Sequence, residues 1–121
     1  MPARKKSVFK KSEKEVTKEC VDLLKLKQIV HWRNNSLSGW LTSTNGGKRQ
    51  FIKTGTKGLS DYSFLLNDGS GRTVMLEFKA TGGKMSQDQI DFEKACSDRN
   101  VPYYCIDNVN DLVEILEIYG M

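Results

Sequence analysis

Apolar positions at helical spacing open the patterned part of the chain. Val16, Cys20 and Leu24, with Leu23 alongside, fall on one face of a helix predicted to run from Ser12 to about Lys27. Ser12-Glu13-Lys14-Glu15 fits a capping box, with Ser12 as N-cap and Glu15 as its partner. A shorter pattern then takes over. Gln28–Arg33 (QIVHWR) reads as a strand, and Asn34–Arg49 as a polar, Gly-rich connection turning at Asn45-Gly46-Gly47. A short strand over Gln50–Lys53 leads into the glycine-rich KTGTKG turn. Two strand-like runs follow, Tyr62–Asn67 (YSFLLN) and Arg72–Lys79 (RTVMLEFK). Between them lies Asp68-Gly69-Ser70-Gly71, whose glycines are free to take positive φ in a hairpin turn. Beyond a loop at Ala80–Met85, Ser86-Gln87-Asp88-Gln89 is a second capping box, opening a helix to about Asn100 with Gln89, Phe92 and Cys96 on its inner face. Pro102–Ile106 is a last strand, and Asp111–Ile118 a closing helix with Leu112, Ile115 and Leu116 inward. The predicted class is α/β, a mixed sheet flanked by helices in the order α-β-β-β-α-β-α. Residues 1–11 are expected to form a basic tail and residues 12–121 one domain.

The hairpin places chemistry. If it centres near Gly69, residue 61 lies opposite residue 77, and opposed residues project to one face with Cβ atoms roughly 4.5–5.5 Å apart. Asp61 and Glu77 then meet. Alternation adds Lys79 to their face and turns Val74, Leu76 and Phe78 to the other. Charged residues alternating with apolar ones ordinarily mark the wet face of a half-buried strand. Directly opposed acids repel, however, unless a cation or a proton separates them. Two acids with an ammonium beside them suit a divalent ion and phosphodiester hydrolysis. Glu13 extends the apolar face of the first helix backwards. It fits either an acid aimed at the end of the core or a first-turn charge on the helix dipole. Gln89 likewise fits either a cap partner or a polar group directed at the site.

Composition narrows the class. The chain has 121 residues, 38% hydrophobic and 28% charged, ordinary for a globular domain. No apolar run reaches membrane-spanning length, and the start MPARKKSVFKK lacks the apolar stretch of a signal peptide. A cytosolic location is therefore expected. Cys20, Cys96 and Cys105 show no C-x-x-C spacing and read as free thiols; a single histidine, His31, precludes two-histidine nuclease motifs. Net charge is +4, unevenly spread. Residues 1–60 carry 14 Lys/Arg against 4 Asp/Glu, and residues 61–121 carry 5 against 11. The basic half suits a polyanion, because neutralising phosphates releases counterions. Arg4–Lys11 reads as a solvated tail. Arg33, Lys48, Arg49, Lys53 and Lys57 instead cluster just before the acids.

In this order and spacing the motifs resemble the PD-(D/E)XK nuclease superfamily, and within it the small VRR-NUC domain related to archaeal-type Holliday junction resolvases. The resemblance runs from about Glu13 to Leu116. It is carried by E-x-x-V at Glu13–Val16, Trp32-Arg33-Asn34, FIKTGTKGLSD at Phe51–Asp61, LEFK at Leu76–Lys79, GGKMSQDQIDF at Gly82–Phe92 and the YYCIDNVNDL run. Ser60 stands where the superfamily's name has proline. The resemblance implies a restriction-endonuclease-like core. It also implies Mg²⁺ or Mn²⁺ held by Glu13, Asp61, Glu77 and the Phe78 carbonyl, with Lys79 and Gln89 acting on the attacking water or the strand. Arg33, Lys53, Lys57 and Lys84 are the expected phosphate contacts. Nothing resembles a module that reads base edges, so the implied substrate is branched DNA, a four-way junction cut by a homodimer. Trp40 and the C-terminal helix are its candidate interface elements. A flap or duplex nuclease of the same fold, and a non-catalytic DNA-binding module, are the alternatives. A short standalone nuclease of this kind looks phage-like or bacterial.

Overall fold

In the computed structural model of the chain, the described residues are 10–34, 38–42, 49–53 and 57–121, with backbone alone for 38–42 and 49–53. Ser12 caps the first helix, α1 (Glu13–Leu26), its hydroxyl accepting the Glu15 N–H. The Glu15 carboxylate does not complete the predicted box. It takes the Ser12 hydroxyl at 3.1 Å instead of the cap's backbone N–H. α1 ends as Gln28 takes a positive φ of 56° and the Ile29 N–H returns to the Leu24 carbonyl. That exit consumes the start of the strand predicted from Gln28, so β1 covers only His31–Arg33.

Two further strands follow, β2 (Ser38–Thr42) and β3 (Arg49–Lys53), paired antiparallel in a separate two-stranded sheet. β2 corrects the expected connection at Asn34–Arg49, β3 matches the short strand expected at Gln50–Lys53, and the order α-β-β-β-α-β-α, with three strands before the second helix, becomes α-β-β-β-β-β-α-β-α. Its five residues, SGWLT, carry little strand signal of their own, and their pairing with Arg49–Lys53 supplies the rest. The hairpin is β4 (Tyr62–Leu65) and β5 (Thr73–Phe78). Gly69 and Gly71 take φ of 76° and 73° at its turn, the conformation anticipated for them. The register pairs Tyr62 with Leu76 and Phe64 with Val74, which continues to residue 61 opposite residue 77. α2 (Gln87–Ser97) then carries the chain to β6 (Tyr103–Ile106), parallel to β5, and α3 (Val109–Ile118) closes the fold. The main sheet is mixed, in the order β1-β4-β5-β6.

Alternation along the sheet separates two faces. Phe64, Val74, Leu76, Phe78 and Ile106 join Val16, Cys20 and Leu24 of α1 and Leu112, Ile115 and Leu116 of α3 in one buried cluster. Burying each such side chain stabilises by about 1.5–3 kcal/mol. On the other face Tyr103 of β6 meets Phe92 of α2 edge-on, ring centroids 5.9 Å apart. The thiols are free, Cys20 and Cys96 buried and Cys105 half-buried. The chain is anchored from Lys11, which exchanges backbone and hydroxyl hydrogen bonds with Thr81 and pairs with Glu19. Among the described residues no helix is long and apolar enough to cross a membrane.

Candidate metal centre

Three elements converge where the hairpin ladder ends. Glu13 comes from the first turn of α1, Asp61 from the residue before β4, and Glu77 from β5. One carboxylate oxygen from each lies within 4.8 Å of the others. Glu77 is 2 % exposed, so it is not part of a wet sheet face. Its Oε2 accepts the Asp61 N–H at 3.2 Å, and Asp61 Oδ2 accepts the Phe78 N–H at 3.0 Å. Each acid is thus anchored by the backbone of the other's strand, which fixes the pair while leaving oxygens facing Glu13.

Gln89 supplies the fourth side. Ser86 caps α2 and Gln89 completes the box: its Oε1 accepts the Ser86 N–H at 2.9 Å, while its own N–H goes to Ser86 Oγ. With the carbonyl end committed, the amide nitrogen is aimed at Glu77 and donates to Oε1 at 2.7 Å. Cap partner and site residue are therefore one role. Lys79 Nζ stands 3.6 Å from the same oxygen. Burial, and then the neighbouring Asp61 charge, push the Glu77 carboxyl up to about 7, against the pull of Lys79 and the Asp61 N–H. A buried acid held beside a second acid is electrostatically short of a cation. The donors are all hard oxygens, which suits Mg²⁺ or Mn²⁺ over softer metals.

Two contacts whose roles the sequence motifs did not assign hold this arrangement. Asn34, at the end of β1, donates from Nδ2 to Ser63 Oγ at 2.7 Å and Ser60 Oγ at 3.2 Å, while its N–H binds the Asp61 carbonyl at 2.8 Å. Ser60 and Ser63 are both buried, so this polar network locks the backbone that carries Asp61. Ser60 is thus a hydrogen-bonding part of the site. Gly58 has φ +75°, and a Cβ there would stand 2.0 Å from the Asp88 carbonyl oxygen. The Asp61 loop therefore rests directly on the first turn of α2, the turn that delivers Gln89.

Among the expected phosphate contacts, Arg33 is exposed and lines a cleft of about 770 Å³ beside Glu13, Asp61 and Tyr62. Lys57 and Lys84 are exposed, in the loops before β4 and before α2. The Lys53 side chain lies outside the described residues, as does that of Trp40. Lys14, Thr17, Lys18 and Lys25 of α1 also line the cleft. Their spacing is present in the sequence, behind the stronger apolar stripe of the same helix. Comparison of the chain with protein-family models, curated proteins and solved structures finds no match.

Proposed function

We propose that this protein is a metal-dependent, structure-selective DNA endonuclease with a restriction-endonuclease-like core, resolving four-way junctions as a homodimer. The observation that carries this reading is the convergence of Glu13, Asp61 and Glu77 with Lys79 beside them, Glu77 being buried. Glu13, Asp61, Glu77 and the Phe78 carbonyl would hold Mg²⁺ or Mn²⁺. When bound, such an ion supplies a water of lowered pKa and stabilises charge on the scissile phosphate and its leaving oxygen. Lys79 offsets negative charge developing on the phosphate and orients the incoming water. Gln89 holds Glu77 in place through its 2.7 Å hydrogen bond. Arg33, Lys53, Lys57 and Lys84 seat the DNA backbone, and a basic first half with an acidic second half fits a protein that presents one surface to a polyanion.

The test is incubation with labelled four-way junctions, flaps and linear duplex, with and without Mg²⁺ or Mn²⁺. Paired symmetric cuts in the junction, lost in Glu77→Ala and Lys79→Ala, are expected. Cuts confined to flaps or duplex would keep the chemistry and discard junction resolution, as would a monomer by sedimentation. Binding without cleavage of any substrate would leave a DNA-binding module.

A further inference from the structure

The surface of α1 beside the acids has a character that the proposed metal centre does not use. Lys14, Lys18 and Lys25, with Val21 among them, recur at intervals of four, three and four residues, which places them on a single stripe of the helix. All three lysines are exposed, and they line the 770 Å³ cleft together with Arg33 from β1. Glu13 and Asp61 belong to the same cleft. Among the described residues lining the cleft, Asp22 is the one further acid, and it pairs with Lys18 at 2.8 Å. From Lys14 to Lys25 the helix rises about 16 Å. That length spans several phosphates at one per ~3.4 Å of axis on each strand of a duplex. The interleaved apolar position, Val21, offers a surface for sugars between phosphate contacts.

We infer that the α1 cleft is a second contact surface for nucleic acid, in which one strand's backbone runs along Lys14, Lys18 and Lys25 and enters the acidic site past Glu13. The inference rests on the nuclease reading for its direction, but not for its binding chemistry. It commits the partner to a sugar-phosphate backbone. The chemistry favours the backbone over base edges, because lysine ammoniums act as point charges suited to phosphates.

The test is fluorescence anisotropy of the full chain on a labelled 30-nucleotide DNA duplex in EDTA, with salt varied. Lys14→Gln/Lys18→Gln/Lys25→Gln is compared with Lys10→Gln/Lys27→Gln/Lys94→Gln, which removes the same charge outside the cleft. The cleft triple should weaken binding tenfold or more at 100 mM salt and flatten the slope of log K against log salt by about 2.7, since each of the three phosphates neutralised contributes roughly 0.9. The control triple should change binding less than twofold. Equal losses in both triples, or none in either, overturn the inference. All substitutions are at exposed positions, and an unchanged thermal melt excludes misfolding. Cleavage assays run in parallel separate the two readings. Metal-dependent cutting with an unaffected cleft triple discards the track and keeps the nuclease. Loss of binding in the cleft triple, with no cutting by the parent chain, keeps the track and discards the nuclease.

Discussion

The N-termini of α1 and α2 start from the same sequence device and end in different states. Each opens on a serine with a Glu or Gln three residues later, and each delivers a polar side chain to the acidic site. At α1 the box is half made: Glu15 turns to the serine hydroxyl, and the residue that reaches the site is its exposed neighbour Glu13. At α2 the box is complete, and the partner Gln89 itself reaches the site. An amide has a donor and an acceptor, so Gln89 can satisfy the cap with one end and Glu77 with the other. An ionised carboxylate only accepts, and Glu15 has no second role to play. A reciprocal cap is therefore also an orienting device when its side chain is bifunctional.

The sharpest way to break this contrast is to separate α2 from the Asp61 loop. Gly58→Ala adds a Cβ against the Asp88 carbonyl in a left-handed conformation, and should destabilise by about 3–4 kcal/mol. A thermal melt checks it, and a variant melting within a few degrees of the parent would show that the loop does not depend on this contact.

Next in size is the pH dependence. Because Glu77 titrates near 7 in the folded chain, above its ordinary 4.5, the native state keeps a proton that the unfolded chain has released. Its contribution to stability is therefore undiminished below about pH 4.5 and is lost as pH rises through 7, on the order of 3 kcal/mol. Denaturant melts without divalent ions at pH 5 and pH 8 should show this slope in the parent and not in Glu77→Gln. Added Mg²⁺ should restore the parent at pH 8 and leave Glu77→Gln unmoved. Parallel curves for the two proteins would remove Glu77 as the strained group.

The cap serines give smaller effects that differ in kind. Ser86→Ala and Ser12→Ala should each cost about 1 kcal/mol of stability. Only Ser86→Ala should also shift the Glu77 titration, followed by carboxyl NMR, because it frees Gln89. The smallest change is expected for Glu15→Ala, within about 0.5 kcal/mol as for an exposed surface group. A larger loss would mean that its hydrogen bond to Ser12 matters more than its geometry suggests.

How far the residues disclosed all this follows from the range of the interactions involved. The hairpin register was legible because it depends on two glycines and an alternating pattern within eighteen residues. The second capping box was legible for the same reason. β2 was not, since Trp40 and Leu41 are its only large apolar residues and its partner lies across a polar connection. The shortened β1 was not either: the left-handed turn at Gln28 belongs to the exit of α1, and no glycine marked it. Asn34 and Ser60 sit in different segments, and only the folded backbone shows that their side chains bond. The lysine stripe of α1 was a different case, written in helical period but masked by the stronger apolar stripe of the same helix.

The hairpin also bears on how the chain reaches its native state. β4 and β5 are joined by a short turn, whereas β5 must wait for α2 before it can pair with β6. Local closure takes microseconds, and non-local pairing is slower. The contact that brings Asp61 against Glu77 is thus among the first available to the folding chain, so two acids are brought together before most of the core exists. Refolding at pH 8 should accordingly be faster in Glu77→Gln, which removes one of the two charges from the early hairpin, than in the parent, as stopped-flow fluorescence would show.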